Sequence, residues 1–324
     1  MGQLAVEYQP PQRMVMIRIG WFTLLAACSA PSERRSATPD TGLSSVASPE
    51  PLNHQFSFAI IADPHIVGAG EHEARLKKAV EWIEANAVEL DLQLVMILGD
   101  ICWGNGFNIA HAALDKLTLP WVPVMGDNVI QTGGESTFHS TFQEQIERLA
   151  TDVEGFTMAD TPVANPERGG ESWLQNMAFR YGDVQFIAAD WSSREVHPLW
   201  GETPDLHDFE GGTWPWLTQQ LALASTAKSN NTILLSHMPL FEGPGGLTVD
   251  EADAVVTLLS AHQDALWANL AGHLHVDSSM DWDRAGIEVH VTDATWDDVN
   301  RVRVVDVSSS ETQVSYDHWI VDVL

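Results

Sequence analysis

Phe56-Ser57-Phe58-Ala59-Ile60-Ile61-Ala62-Asp63-Pro64-His65 is an apolar run that stops at an aspartate, a proline and a histidine. A continuous apolar stretch of this length suits a strand buried on both faces. Leu92-Gln93-Leu94-Val95-Met96-Ile97-Leu98-Gly99-Asp100 has the same design. Between the two, Leu76, Val80, Ile83 and Ala87 recur at spacings of three and four, which predicts an amphipathic helix over 71–88. Strand, helix, strand with both strands buried opens an α/β fold, which binds its ligands just past the strand ends.

The pattern continues along the chain. Strands are expected at 121–125, 184–189, 232–235 and 266–271, and helices at 214–227 and 250–263. The alternating segments 287–291 and 302–307 predict a strand-rich C-terminal third. Residues 131–178 are rich in Gly, Thr, Glu and Asn, with weak helical periodicity only over 142–149, and read as an insertion of loops lying over the site.

Five islands follow these strands: Asp63-Pro64-His65, Gly99-Asp100, Gly126-Asp127-Asn128, Ser236-His237-Met238-Pro239 and Gly272-His273-Leu274-His275. Imidazole nitrogens combined with carboxylate oxygens suit transition ions such as Fe, Mn or Zn, and no island contains a thiolate.

Singly the islands are weak signals, since the chain has 13 histidines. Together, and in this order, they resemble the signature of the calcineurin-like metallophosphoesterases from Phe56 to His275. Trp216-Leu217-Thr218-Gln219-Gln220-Leu221, ahead of Leu234-Leu235-Ser236-His237, is also similar to a stretch of that family. The resemblance implies a four-layer αββα sandwich of two mixed β-sheets flanked by helices. It implies that Asp63, His65 and His275 hold one metal ion, that Asp100 bridges, and that Asp127, His237 and His273 hold a second. Two ions sharing a carboxylate let a bridging water ionise near neutral pH and attack phosphorus, so phosphate mono- or diesters are hydrolysed without a covalent intermediate.

The third island departs from the family pattern, in which Gly-Asn-His supplies an Asn ligand and a His that contacts phosphate. Here it reads Gly126-Asp127-Asn128. Two divalent ions with three aspartates and a hydroxide form a neutral cluster, one charge below the usual sum. A ferric ion restores that charge, which favours an iron-containing pair. Asn128 can donate a hydrogen bond to a phosphoryl oxygen but cannot supply a proton, so the leaving group needs another acid. His139 is the candidate for that acid, with His111, His197 and His207 as further possibilities. Cys102 reads as a small buried hydrophobe, and Trp103, Trp191 and Trp200 as core or pocket rim. A purple acid phosphatase is disfavoured, because Ile101-Cys102-Trp103-Gly104 lacks the tyrosine expected after Asp100.

The bulk numbers narrow the partners. Sixteen Lys plus Arg against 45 Asp plus Glu give a net charge of −29, which excludes nucleic acid as an expected partner and favours small or lipid-linked phosphate esters. A hydrophobic content of 44% can bury a sizeable core. With only Cys28 and Cys102, stability is expected from packing and metal.

At the N-terminus, Arg13 and Arg18 precede the apolar run Ile19–Ala27, which is too short to span a bilayer. Leu25-Ala26-Ala27-Cys28 resembles the lipobox of bacterial lipoproteins, in which Cys28 becomes the lipidated N-terminus; a small buried helix is the alternative. A start at Met14 or Met16 would suit such a signal. The expected division is residues 1–28 as signal and lipobox, 29–53 as a Ser/Pro/Thr/Ala-rich tether, and 54–324 as the enzyme domain. The expected location is exported and lipid-anchored to a bacterial membrane, with the anchor as the only membrane contact. Two other roles compete with the hydrolase: a weakened relative that binds phosphate esters, and a lipoprotein that stores or senses metal.

Overall fold

The computed structural model describes residues 50–194, 204–224, 226–243, 246–295 and 300–323. Cys28, the lipobox, nearly all of the proposed tether, His197 and Trp200 lie outside the described residues. Among the described residues no helix is long and apolar enough to cross a membrane.

The first strand-helix-strand unit is β1 (Asn53–Ile61), α1 (Glu71–Asn86) and β2 (Leu92–Leu98). There follow α2 (Phe107–Leu114), β3 (Trp121–Val124), α3 (Asp127–Gln131), α4 (Glu135–Asp152), β4 (Glu154–Met158), β5 (Val163–Ala164), β6 (Glu171–Ser172), β7 (Met177–Tyr181) and β8 (Val184–Ala188). The remainder is α5 (Thr213–Leu223), β9 (Thr232–Leu235), α6 (Val249–Ser260), β10 (Leu266–Ala271), β11 (Ser278–Trp282), β12 (Ile287–Val291), β13 (Arg301–Ser309) and β14 (Val314–Asp322).

β5 and β6 pair with each other, and the other strands form two mixed sheets, in the orders β14-β13-β1-β2-β3 and β11-β12-β10-β9-β8-β7-β4. In the first, β1, β2 and β3 run parallel. In the second, β8, β9, β10 and β12 do so. Parallel strands need helical crossovers on the sheet faces, which is why these strands are apolar on both sides.

The strand period of two sorts β1 into two cores. Phe58 and Ile60 face inward with Met96, Val122, Phe186, Ile233 and Val305, filling the space between the sheets. Ala59 and Ile61 face outward with Leu76, Ile83, Phe138 and Phe142 of α1 and α4. A third core lies on the far face of the second sheet, where Leu217 and Leu221 of α5 and Val255 and Leu259 of α6 cover Ile187, Leu234 and Val289. Four layers result: helices, sheet, sheet, helices. Phe58 meets Phe186 edge-on across the middle layer at 5.5 Å between ring centroids, a contact worth about 0.5–1.5 kcal/mol beyond burial.

Residues 131–178 are not a set of loops. They contain the 18-residue helix α4, the strand β4 and the start of β7, two strands that extend the second sheet. The apolar stripe of α4 is Phe138, Phe142, Ile146 and Leu149, at spacings of four, four and three, and all four are buried. Three polar residues for every such anchor hide that stripe in composition. His139 therefore sits on a helix and not in a loop.

Candidate metal centre

Each island lies at the C-terminal end of a parallel strand. Asp63 follows β1, Asp100 follows β2, Asp127 opens α3 after β3, His237 follows β9, and His273 and His275 follow β10. Both sheets thus deliver side chains to one edge of the sandwich.

The seven residues converge. Asp63, His65 and His275 present donor atoms within 4.8 Å of one another, and so do Asp127, His237 and His273. Asp100 stands between these groups: its carboxylate is 3.4 Å from His65 Nε2 and 3.7 Å from His237 Nε2. The imidazoles pair edge-to-face within each group, His65 with His275 at 4.9 Å and His237 with His273 at 5.0 Å. Trp103 closes the flank, its ring 5.0 Å from that of His65.

Local backbone geometry serves this convergence at a cost. Among the described residues eight non-glycine residues have positive φ, and five of them are Asp63, His65, Asp100, His273 and His275. A left-handed residue costs about 1–2 kcal/mol, less for Asp, so the five together store on the order of 5 kcal/mol. Such strain persists only where the surroundings over-determine it, and it clusters at functional sites.

Two of the island glycines have a steric reason. Gly99 has φ +84°, and a Cβ there would lie 2.2 Å from His237 Nδ1. A Cβ on Gly126 would lie 2.2 Å from the backbone N and Oδ1 of Asp100. Both positions let one island pass directly under another.

A ring of hydrogen bonds orients the carboxylates and imidazoles. The backbone N–H of His273 donates to Asp63 at 2.9 Å, and the Gln131 amide donates to Asp127 Oδ2 at 2.8 Å. Asn128 holds Asp100 by both oxygens: its backbone N–H donates to Oδ1 at 3.0 Å, and its side-chain Nδ2 donates to Oδ2. The amide expected to meet a phosphoryl oxygen is thus engaged with a carboxylate. His237 Nδ1 lies 3.1 Å from the Leu98 carbonyl, which can only accept, so Nδ1 carries the proton and Nε2 faces Asp127 at 2.8 Å. This is the arrangement of a metal-binding histidine, whose second nitrogen donates to a backbone carbonyl. The His72 ring bonds the His65 carbonyl at 2.8 Å.

The electrostatics call for a cation. Asp63, Asp100, Asp127 and His237 are all at most 3% exposed. Burial raises the Asp100 carboxyl, and the neighbouring charge of Asp127 raises it further. Burial opposes protonation of His237, yet the carboxylates of Asp100, Asp127 and Asp63 outweigh it and push the imidazole up to about 10. Three buried carboxylates thus hold a proton on a ring that would ordinarily lose it, and a metal ion is the natural replacement for that charge. The four nitrogens and three carboxylates fit a pair of transition ions by donor type and separation.

The remaining sequence candidates have these surroundings. His139 is half-buried, with its ring 5.0 Å from that of Trp173, and burial lowers its affinity for a proton. His111 packs on Phe142, and His207 is wholly buried. Cys102 is buried, with its thiol pushed up by burial and by Asp100, so it is inert. Trp191 belongs to the outer core of the second sheet. Gln131 and His72 carry no sequence signal: each meets the site through a hydrogen bond that exists only in the folded chain.

Residues 56–277 match the sequence profile of the calcineurin-like phosphoesterases, and the chain belongs to that family. A dimetal phosphatase from Danio rerio has a similar fold, with a TM-score of 0.53 at 16% identity, covering 82% of this chain and 99% of that one. A putative 5'-nucleotidase from Staphylococcus aureus is similar with a TM-score of 0.47 at 14% identity, over 83% of this chain and 54% of that one. The phosphopantetheinyl hydrolase of Mycobacterium tuberculosis follows with a TM-score of 0.41 at 13% identity, over 75% and 91%. No curated protein matches the chain in sequence. The family makes the chain a hydrolase of phosphate esters with candidate metal-binding clusters.

Proposed function

We propose that this chain hydrolyses a small phosphate mono- or diester at a dinuclear metal centre. Asp63, His65 and His275 would hold one ion, and Asp127, His237 and His273 the other, with Asp100 between them. The observation that carries the reading is the position of Asp100 within reach of both Asp-His-His groups. When bound, such a pair supplies Lewis acidity toward the ester oxygens and a water ionised near neutral pH as the attacking nucleophile. The chain's own residues do the positioning. Asn128 locks the Asp100 carboxylate, Gln131 locks Asp127, the His273 backbone N–H locks Asp63, and the Leu98 carbonyl sets the tautomer of His237.

Three aspartates make the centre one charge poorer than a set with a neutral amide ligand, which supports iron as one of the two ions, with Mn and Zn as the other candidates. The test is turnover of an aryl phosphate and its bis ester by protein loaded in turn with Mn, Fe or Zn, against protein stripped with a chelator. Activity is expected only in the loaded forms and highest where iron is present. Tight ester binding without turnover would favour a binding protein instead.

The leaving group decides the role of His139. If it donates the proton, His139→Ala lowers the rate on an alkyl ester by about 10²- to 10⁴-fold and spares the aryl ester. An unchanged rate on the alkyl ester in His139→Ala removes it from the mechanism.

Export and lipid anchoring rest on Arg13 and Arg18, the apolar run 19–27 and the lipobox-like Leu25-Ala26-Ala27-Cys28. Cys28→Ser is expected to move the chain from the membrane fraction to the soluble fraction. Retention in the membrane fraction would count against the anchor.

A further inference from the structure

Glu167, Asp205 and His207 form a second group of donors, none of which belongs to the centre described above. Each offers one ligand atom, and the three atoms lie within 4.8 Å of one another. Glu167 lies in the hairpin between β5 and β6, and Asp205 and His207 in the connection from β8 to α5.

The histidine is built as a ligand. His207 is 0% exposed and sits in the left-handed region at φ 50°. Its Nε2 lies 2.8 Å from the Ser192 carbonyl. A carbonyl can only accept, so Nε2 carries the proton, and in the neutral ring Nδ1 holds a lone pair. That Nδ1 is buried without a hydrogen-bond partner and lies 3.6 Å from Asp205 Oδ2. A lone pair turned toward a carboxylate is repulsive, and an unpaired buried nitrogen costs about 1–3 kcal/mol. Protonation would relieve both, but burial and the nearby Arg194 charge keep the ring neutral. A metal-binding histidine has this same arrangement, with one nitrogen donating to a backbone carbonyl and the other bare.

We propose that Glu167, Asp205 and His207 Nδ1 bind a divalent transition ion such as Zn²⁺ or Mn²⁺, separate from the dinuclear centre. The two carboxylates balance its charge, and the donor set of one imidazole with two carboxylates suits these ions. Glu167 is exposed, so that side is open to water molecules completing the coordination. The ion joins the β5–β6 hairpin to the segment that leads into α5, two stretches far apart in the chain, and so orders the insertion.

The competing occupant is a water molecule that donates to Nδ1. To decide, wild type and Glu167→Gln are loaded with Zn²⁺, dialysed, and compared by elemental analysis of zinc per chain. Glu167 is exposed, so the change leaves the core undisturbed. The variant is expected to retain one zinc ion fewer than the wild type, and Asp205→Asn to show the same loss. Equal zinc content in wild type and Glu167→Gln overturns the proposal and leaves the water. A loss of more than one ion also overturns it, because the group would then be part of the centre. The comparison reads zinc alone, so it holds whether or not the chain turns over an ester.

Discussion

Asp100→Asn is expected to lower turnover of an aryl phosphate by more than about 10²-fold while leaving the fold intact. Residues that merely orient a metal ligand cost about 10- to 100-fold when changed. In the proposed centre Asp100 would be more than an orienting group, because its carboxylate reaches toward His65 at 3.4 Å and His237 at 3.7 Å, one residue from each Asp-His-His group. An amide offers one oxygen and no charge where the carboxylate offers two oxygens and a charge. The fold survives for an electrostatic reason. Burial and the charge of Asp127 already disfavour the ionised Asp100 in the metal-free chain. A neutral Asn therefore relieves repulsion there, and the thermal midpoint of stripped protein should stay level or rise. The gain in midpoint on adding Mn²⁺ should shrink. Undiminished turnover in Asp100→Asn would remove the dinuclear reading.

The second large effect is on stability. Arg194→Met is expected to destabilise the chain by about 3–5 kcal/mol, measured by denaturant unfolding. Arg194 is 2% exposed, and its guanidinium grips Asp190 at 2.6 and 2.7 Å and Glu135 at 2.9 Å. Glu135 also accepts from Arg168 at 3.0 Å. Asp190 and Glu135 are themselves buried, so removing the arginine takes the guanidinium partner from Asp190 in low dielectric and leaves Glu135 with Arg168. The network ties the start of α4 to the segment after β8, and Arg194 also lies 3.7 Å from Met125 Sδ, two residues before Asp127.

The pH dependence carries its own sign. Burial would raise the Asp190 carboxyl, but the Arg194 charge outweighs it and holds the group below its ordinary 3.8. A depressed carboxylate stabilises the folded chain above its unfolded pKa, and that stability is lost as pH falls through the folded value. Wild-type stability should therefore decline on acidification below about pH 3.8. In Arg194→Met burial loses its main opponent and raises the carboxyl, so acidification should restore part of the lost stability. Parallel profiles for the two proteins would show that the ion pair contributes nothing.

Legibility differed by element. Buried strands were readable to the residue: Leu92–Leu98, Thr232–Leu235 and Leu266–Ala271 form where the apolar runs predict them, and Ile287–Val291 where the alternation does. Helix α4 was not, because its apolar stripe is carried by four residues among many polar ones, and tertiary packing on α2 and β3 supplies what periodicity lacked. The corrected placement of His139 follows from that helix. At the centre, the residue types and the strand-end positions of the seven candidates were legible. The hold of Asn128 on Asp100 was not, since nothing in Gly126-Asp127-Asn128 says which neighbour its amide will meet.

By itself the sequence determined the α/β layering, the five islands and the kind of ion their nitrogens and oxygens suit, because burial periodicity and donor chemistry are properties of residues in order. Only the tertiary structure decided that Asn128 grips both oxygens of Asp100, that five site residues adopt left-handed backbone, and that His207 turns a bare nitrogen toward Asp205. Those are matters of conformation and contact, and chain order does not encode the distance between two side chains until the sheets have closed on each other.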